Sequence, residues 1–222
     1  MGENQNAFHK QLKKLGKLGR EICTLSEQML CCKNAVECQQ SVEKADKAAE
    51  KARLLVRDLI LESGNPRAIQ VTEDILEEVV PVEMGFTEEG WYYLHIPLLP
   101  PKKTAGSARY VRSYLYPAMR KFFEGQPNRR IFPECVVCFL HRYDKSFPEK
   151  AYRDQDNIET NMVVDTIALY LMEDDGAKRC WHFYAMVPGE VSRTEVYLVP
   201  PADYITWFDR YLGPSGKPMN EA

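Results

Sequence analysis

The sequence predicts an α+β chain, with a helical region first and a mixed sheet carrying helices after it. Three observations predict this. From Phe8 to Glu62 there is no proline, and glycine occurs only at 16 and 19. Beyond residue 80 the apolar residues change from helical spacing to alternating runs. Those runs are interleaved with helical patterns in the order ββαβαββα, as one sheet with helices on it requires.

In the helical region, Cys31, Ala35, Cys38, Val42, Ala45, Ala49, Ala52, Val56 and Leu59 alternate spacings of four and three. This is a heptad seam of small residues. The earlier set Phe8, Leu12, Leu15, Ile22 and Met29 keeps the rule out of phase, which places a turn near residue 30. An antiparallel hairpin or a two-chain coiled coil follows, over residues 1–64. Gly64 and Pro66 stop it. Lys10, Lys13, Lys14, Lys17 and Arg20 form a basic side, either a solvated face or a nucleic-acid contact.

Residues 65–90 form an acidic connector with a short helix near Thr72 to Glu78 and the first strand. "VPVEMGF" and "WYYLHIPLL" flank "TEEG", a hairpin signal. "PPKKTAGSARY" is a basic loop, and "VRSYLYPAMRKFFEG" an amphipathic helix ended by Gly125. "ECVVCFLHRYD" is the third strand, in which Cys135 and Cys138 face opposite sides as buried thiols. A helix follows over 157–171. "KRCWHFYAMV" and "RTEVYLVP" then form a hairpin around "PGEVS", and "PADYITWFDRYL" closes an α+β domain of residues 91–222.

Net charge is only −3, but its sign varies along the chain. Lys plus Arg against Asp plus Glu runs 11 to 9 over 1–64, 1 to 7 over 65–90, 12 to 5 over 91–154 and 5 to 11 over 155–222. A basic segment therefore meets an acidic one, the polarity of cations on a phosphate backbone beside carboxylates on a metal. Two mutually neutralising surfaces give the same pattern. The seven cysteines are odd in number and not spaced as a disulfide framework. With no signal peptide and no apolar run long enough for a bilayer, the expectation is a cytoplasmic protein without a membrane span. His9, His95, His141 and His182 lack a second metal ligand at suitable spacing. No nucleophile motif, P-loop or dinucleotide fingerprint occurs.

The carboxylates concentrate in "RDQDNIETNMVVDTIALYLMEDDG". Asp154 and Asp156 stand i, i+2, which in extended backbone sends both to one side, within reach of one cation. Oxygen ligands without thiol or imidazole favour Mg2+ or Mn2+. Alternatively, Asp156 caps the following helix and Asp174, Asp175 and Gly176 form a turn. Asn157, Asn161 and Asp165 make a polar stripe that faces solvent or a site.

These motifs resemble the RusA-type Holliday junction resolvases, small metal-dependent endonucleases of prophages and mobile elements. "HIPLLPPKKT", "YRDQDN" and "EDDG" follow the family's order, and 21 residues separate Asp154 from Asp175. The resemblance implies a RusA-like mixed sheet and a homodimer acting on branched DNA. It also implies that Asp154, Asp156 and Asp175 are catalytic metal ligands with Asp174 beside them, and Asp165 only weakly. The metal would be Mg2+ or Mn2+, generating the nucleophilic water of an endodeoxyribonuclease in DNA recombination and repair. Lys102, Lys103, Arg109, Arg112 and Arg153 would hold phosphates, with Tyr110 stacking on a base. Thr160 stands where the family carries lysine, and residues 1–64 are an addition. The alternative is therefore a catalytically degenerate DNA-binding or adaptor protein whose coiled coil recruits a protein partner. A purely structural coiled-coil assembly protein is the third expectation.

Overall fold

A computed structural model describes residues 2–63, 65–126, 129–146 and 153–213. Gly64, taken above as a helix stop, and Tyr152, in the quoted "YRDQDN", lie outside the described residues. The chain divides into two compact units, Met1–Ile75 and Leu76–Ala222.

The first unit is a helical hairpin of α1 (Gly2–Leu30) and α2 (Ala35–Glu62), followed by α3 (Ala68–Val79), inside which the division falls. The turn sits where the phase change predicts it. Asn34 caps α2, its Oδ1 accepting from the Glu37 amide at 2.9 Å. Gln11 Nε2 donates to Glu62 Oε1 at 2.6 Å, tying the start of α1 to the end of α2 as an antiparallel pair requires. The covered line of α2 runs through Cys38, Ser41, Ala45, Ala48, Ala52, Leu55 and Leu59, with Ala48 and Leu59 buried and the others half-buried. Four of these belong to the predicted seam. At the intervening positions the line lies one residue earlier, so Val42 and Val56 are exposed. The reason is that both choices keep an average period of 3.5, and α1, not the apolarity of α2, fixes which is covered.

The second unit is an α+β layer structure with a mixed five-stranded sheet. Its elements are β1 (Glu83–Phe86), β2 (Tyr92–Ile96), α4 (Ser107–Phe123), β3 (Cys135–Asp144), α5 (Asn161–Leu171), β4 (Cys180–Gly189), β5 (Arg193–Val199) and α6 (Tyr204–Tyr211). The order matches the predicted one. Strand order is β1-β2-β5-β3-β4, with β3 and β4 parallel and the other pairs antiparallel. The β1–β2 hairpin turns at Gly90, whose φ of 81° suits a residue without Cβ.

Two sequence expectations are corrected. The predicted β4–β5 hairpin does not form, because β5 inserts between β2 and β3 while β4 lies at the sheet edge. Six of the seven β5 residues are buried, which demands ladder partners on both sides, whereas β4 is half exposed and carries Pro188, which cannot donate to a ladder. The helix predicted from 157 starts at Asn161. Before it, Ile158 makes an antiparallel bridge with Lys102, so this backbone is spent on a loop–loop pairing.

Alternation divides the sheet's side chains between two layers. Val136, Cys138, Leu140, Tyr197 and Val199 pack with Trp207 and Tyr211 of α6 and with Trp91. Trp91 Nε1 donates to Asp203 Oδ2 at 3.0 Å, fixing the entry to α6. On the opposite face, α4 and α5 cover Tyr92, Leu94, Val137 and Phe139, with the Phe123 ring 6.3 Å from that of Tyr92. Cys135 and Cys138 are buried free thiols on opposite faces, as predicted.

Candidate functional site

The basic loop and the carboxylate motif, remote from each other in sequence, run side by side. Lys103 N–H donates to the Asn157 carbonyl at 2.7 Å, and Glu159 N–H to the Pro101 carbonyl at 2.9 Å. Lys102 and Lys103 are exposed on this ribbon, as are Asp154 and Asp156. Gln155, between the aspartates, turns its amide inward toward His141. Arg153 is drawn into the structure. Its Nη1 donates to the Pro100 carbonyl at 2.7 Å and its N–H to Tyr143 Oη at 3.1 Å, so it anchors the motif instead of presenting a free cation.

Glu159 and Thr160 are both buried. Glu159 Oε2 accepts from Ser107 Oγ at 2.9 Å, and Oε1 from the Met162 N–H at 3.4 Å. The carboxylate thus bridges the first turns of α4 and α5, whose unpaired N–H groups favour a negative charge. Thr160 accepts the Val163 and Val164 N–H bonds on its carbonyl and begins α5. A side chain in that place packs in the interior.

The second acidic cluster lies at the other end of α5. Gly176 N–H donates to Asp174 Oδ1 at 3.1 Å, so Asp174 closes the turn by a side-chain to backbone bond. Glu173 pairs with Arg179. Asp165 and Asp175 are both exposed. The pKa of Asp165 is raised, first by partial burial and then by the charges of Asp175 and Glu159. Asp165 is therefore coupled to Asp175, while Asn157 and Asn161 are solvated. Among the described residues no group of three or more His, Cys, Asp or Glu is arranged to hold a metal ion. Magnesium is commonly held by one or two carboxylates plus substrate phosphates, and Asp154 with Asp156 is the pair beside cations.

Between 101 and 130 the chain carries eight Lys and Arg against one glutamate. On α4 these cations are interleaved with aromatic rings. The Arg112 guanidinium lies 5.6 Å from the Tyr116 ring centroid, Tyr116 is 6.3 Å from Tyr170, and Arg129 is 5.7 Å from Tyr170 on its other side. Tyr170 in turn stacks on Phe123 at 5.2 Å. Arg112 and Arg129 are exposed and the two tyrosines half-buried, so the row is open along one edge. Arg109 is exposed on the first turn of α4. Tyr110, expected to stack on a base, is buried against Tyr114 with ring centroids 5.3 Å apart. Helical spacing explains the difference, because Tyr110 shares the buried side of α4 with Ser107 at i−3 and Tyr114 at i+4, whereas Tyr116 follows exposed Arg112 at i+4.

Two buried polar groups lie inside the strands, the second of them, around Glu195, not anticipated from the sequence. His141 Nδ1 lies 3.2 Å from Thr194 Oγ1, while Nε2 has no hydrogen-bond partner among the described residues. Burial pushes the imidazole down to about 4, against the opposing influence of Gln155. On the other face Arg142 donates to both oxygens of Glu195, which also receives Arg193 Nε at 2.8 Å. His95 Nε2 stands 3.3 Å from Tyr197 Oη at the edge of this cluster. The signal was present in "HRYD" and "RTEVYLV", charged residues inside otherwise apolar strands.

Residues 2–214 match the profile of a protein family of unknown function, DUF6100. No curated protein matches the chain.

Proposed function

The chain belongs to the DUF6100 family, and from its surface chemistry we propose that it is a DNA-binding adaptor protein. One observation carries this reading: Arg112 and Arg129 flank Tyr116 and Tyr170 on a segment, residues 101–130, that holds eight cations against one glutamate. Guanidinium and ammonium groups attract a phosphate backbone whatever its sequence, and the half-buried Tyr116 ring beside them supplies an aromatic surface for an unpaired base. Branched DNA and frayed single strands supply such bases. Lys102 and Lys103 extend the row to the loop beside Asp154, and Arg109 and Arg112 lie between. The helical unit, with Val42 and Val56 exposed in addition to its covered seam, supplies a surface for self-association or for a protein partner.

A second reading is magnesium-dependent cleavage at branches. It is favoured by the hydrogen-bonded ribbon that sets Lys102 and Lys103 beside Asp154 and Asp156. On this reading the two carboxylates and the DNA phosphates would hold the ion, which would activate a water. The chain's own part is to keep the carboxylates solvated and the loop cations against the phosphates.

The two readings are separated with a labelled synthetic four-way junction and a single strand of the same length. The adaptor reading expects binding that survives a chelator and leaves every strand intact. Absence of binding at low salt would overturn it. Magnesium-dependent cutting that is abolished by Asp154→Asn with Asp156→Asn would replace it with the nuclease reading.

A further inference from the structure

On the sheet face that carries α4 and α5, β3 and β4 both begin with cysteine. Cys135 and Cys180 are direct partners in the parallel register, so their side chains leave the same face. Neighbouring strands lie about 4.8 Å apart, inside the Cα separation of about 4.4–6.8 Å that a disulfide spans. Both thiols are free and buried, and Cys180 lies on the edge strand. Cys135 across the ladder and His182 along the strand are the two side chains that act favourably on the Cys180 thiolate. His182 follows Cys180 by two residues and therefore shares its face. It is exposed, with Nδ1 3.2 Å from Tyr184 Oη.

We propose that Cys180 and Cys135 form a thiol–disulfide exchange site, with Cys180 attacking, Cys135 resolving, and a small disulfide of the glutathione class as oxidant. In the first step the Cys180 thiolate attacks one sulfur of the small disulfide, whose S–S bond breaks and releases one thiolate. Cys180 is then held in a mixed disulfide. In the second step the Cys135 sulfur attacks Cys180 Sγ and expels the second small thiolate, while the Cys135 proton passes to a leaving thiolate. Two electrons move from the protein dithiol to the small disulfide, and β4 becomes bonded covalently to β3.

The surroundings favour this division of roles. Cys180 is lowered to about 5, chiefly by the hydrogen bond with Cys135; burial opposes this and His182 adds to it. Cys135 is pushed up by the same hydrogen bond and by burial, which keeps it protonated as the donor. His182 is raised by Cys180. Asp175, from the loop before β4, adds negative charge that raises both Cys180 and His182. Arg179, next in the chain, is engaged by Glu173.

The test treats the full chain with oxidised glutathione and maps its peptides by mass spectrometry. The wild type is expected to join Cys135 to Cys180, and Cys135→Ala to stop at a glutathione adduct on Cys180. The rate at Cys180 is expected to stay nearly constant from about pH 6 to about pH 7. An ordinary thiol peptide in the same tube rises about tenfold over that interval, following its thiolate fraction. His182→Gln, at an exposed position, is expected to steepen the Cys180 profile. A wild type in which Cys180 acquires neither adduct nor disulfide overturns the proposal, as does a Cys180 profile that rises like the peptide's.

Discussion

Replacing Arg142 by leucine leaves the Glu195 carboxylate in the interior without its main partner. Arg142 Nε and Nη2 donate to Oε1 and Oε2 at 2.5 and 3.1 Å, and the two side chains are only 9% and 3% exposed. Removing one member of a buried pair costs about 3–5 kcal/mol, because the remaining charge has lost its compensation. Arg193 Nε still donates to Oε1 at 2.8 Å, which puts the expected loss near the lower end, about 3 kcal/mol. For a domain of roughly 150 residues each kcal/mol moves Tm by about 2–4 °C, so the variant should melt about 6–12 °C lower. The pH dependence has a definite sign. Burial raises the Glu195 pKa, but Arg142 and then Arg193 outweigh it and hold the group below its ordinary 4.5. A group lowered by folding stabilises fully above its unfolded value and loses that contribution as pH falls through its folded value. Without Arg142 burial dominates and pushes the Glu195 carboxyl up, so its cost is present at neutral pH and is relieved as protonation neutralises it. The deficit of the variant against wild type should therefore shrink toward acid pH. Urea unfolding of wild type, Arg142→Leu and Arg142→Leu with Glu195→Leu, repeated from neutral to acid pH, measures both effects. A loss under about 1 kcal/mol in the single variant would refute the reasoning. So would a double variant no more stable than the single one.

Further predictions follow from the same geometry. In the helical unit, Ala48 is buried and Ala49 exposed. Ala48→Leu should therefore cost about 1–3 kcal/mol by overpacking, while Ala49→Leu stays within about 0.5 kcal/mol, as followed by helical circular dichroism on heating. On α4, Tyr116→Leu should weaken single-strand binding by about 1 kcal/mol, roughly fivefold, and leave its salt dependence unchanged, as read by fluorescence anisotropy. Equal affinity would remove the ring from the surface.

Much of the fold was legible because its signals are local. The missing proline and the seam marked the hairpin, and the change of apolar period marked each element of the second unit in order. What was not legible depended on partners remote in sequence. "RTEVYLV" reads the same as a hairpin strand or a central one, and only the burial of Val196 and Leu198 between β2 and β3 decides. The seam on α2 was right at Cys38, Ala45, Ala52 and Leu59 and displaced by one at the alternate positions, since α1 chooses between two equally apolar lines. At the candidate site, the basic loop and the motif segment were visible as charge, and their adjacency came from the Lys102–Ile158 bridge. The spacing argument for Asp154 and Asp156 assumed extended backbone, whereas Gln155–Asn157 form a 3₁₀ turn with Asp154 at its start, and both side chains are exposed. The coupling of Asp165 to Asp175, the use of Arg153 as an anchor and the burial of Thr160 were not legible, because each is set by packing between segments distant in the chain.

The most direct test of the DNA-binding reading is the salt dependence of binding to a labelled single strand. The exposed cations Lys102, Lys103, Arg109, Arg112, Arg120 and Arg129 would neutralise up to six phosphates, and single-strand binding falls with a slope of about −0.7 per contact in log Kobs against log salt. The wild type should therefore show a slope near −4, and Arg112→Ala with Arg129→Ala a slope shallower by about 1.4. A wild-type slope shallower than about −1, or a double variant with an unchanged slope, would contradict the account.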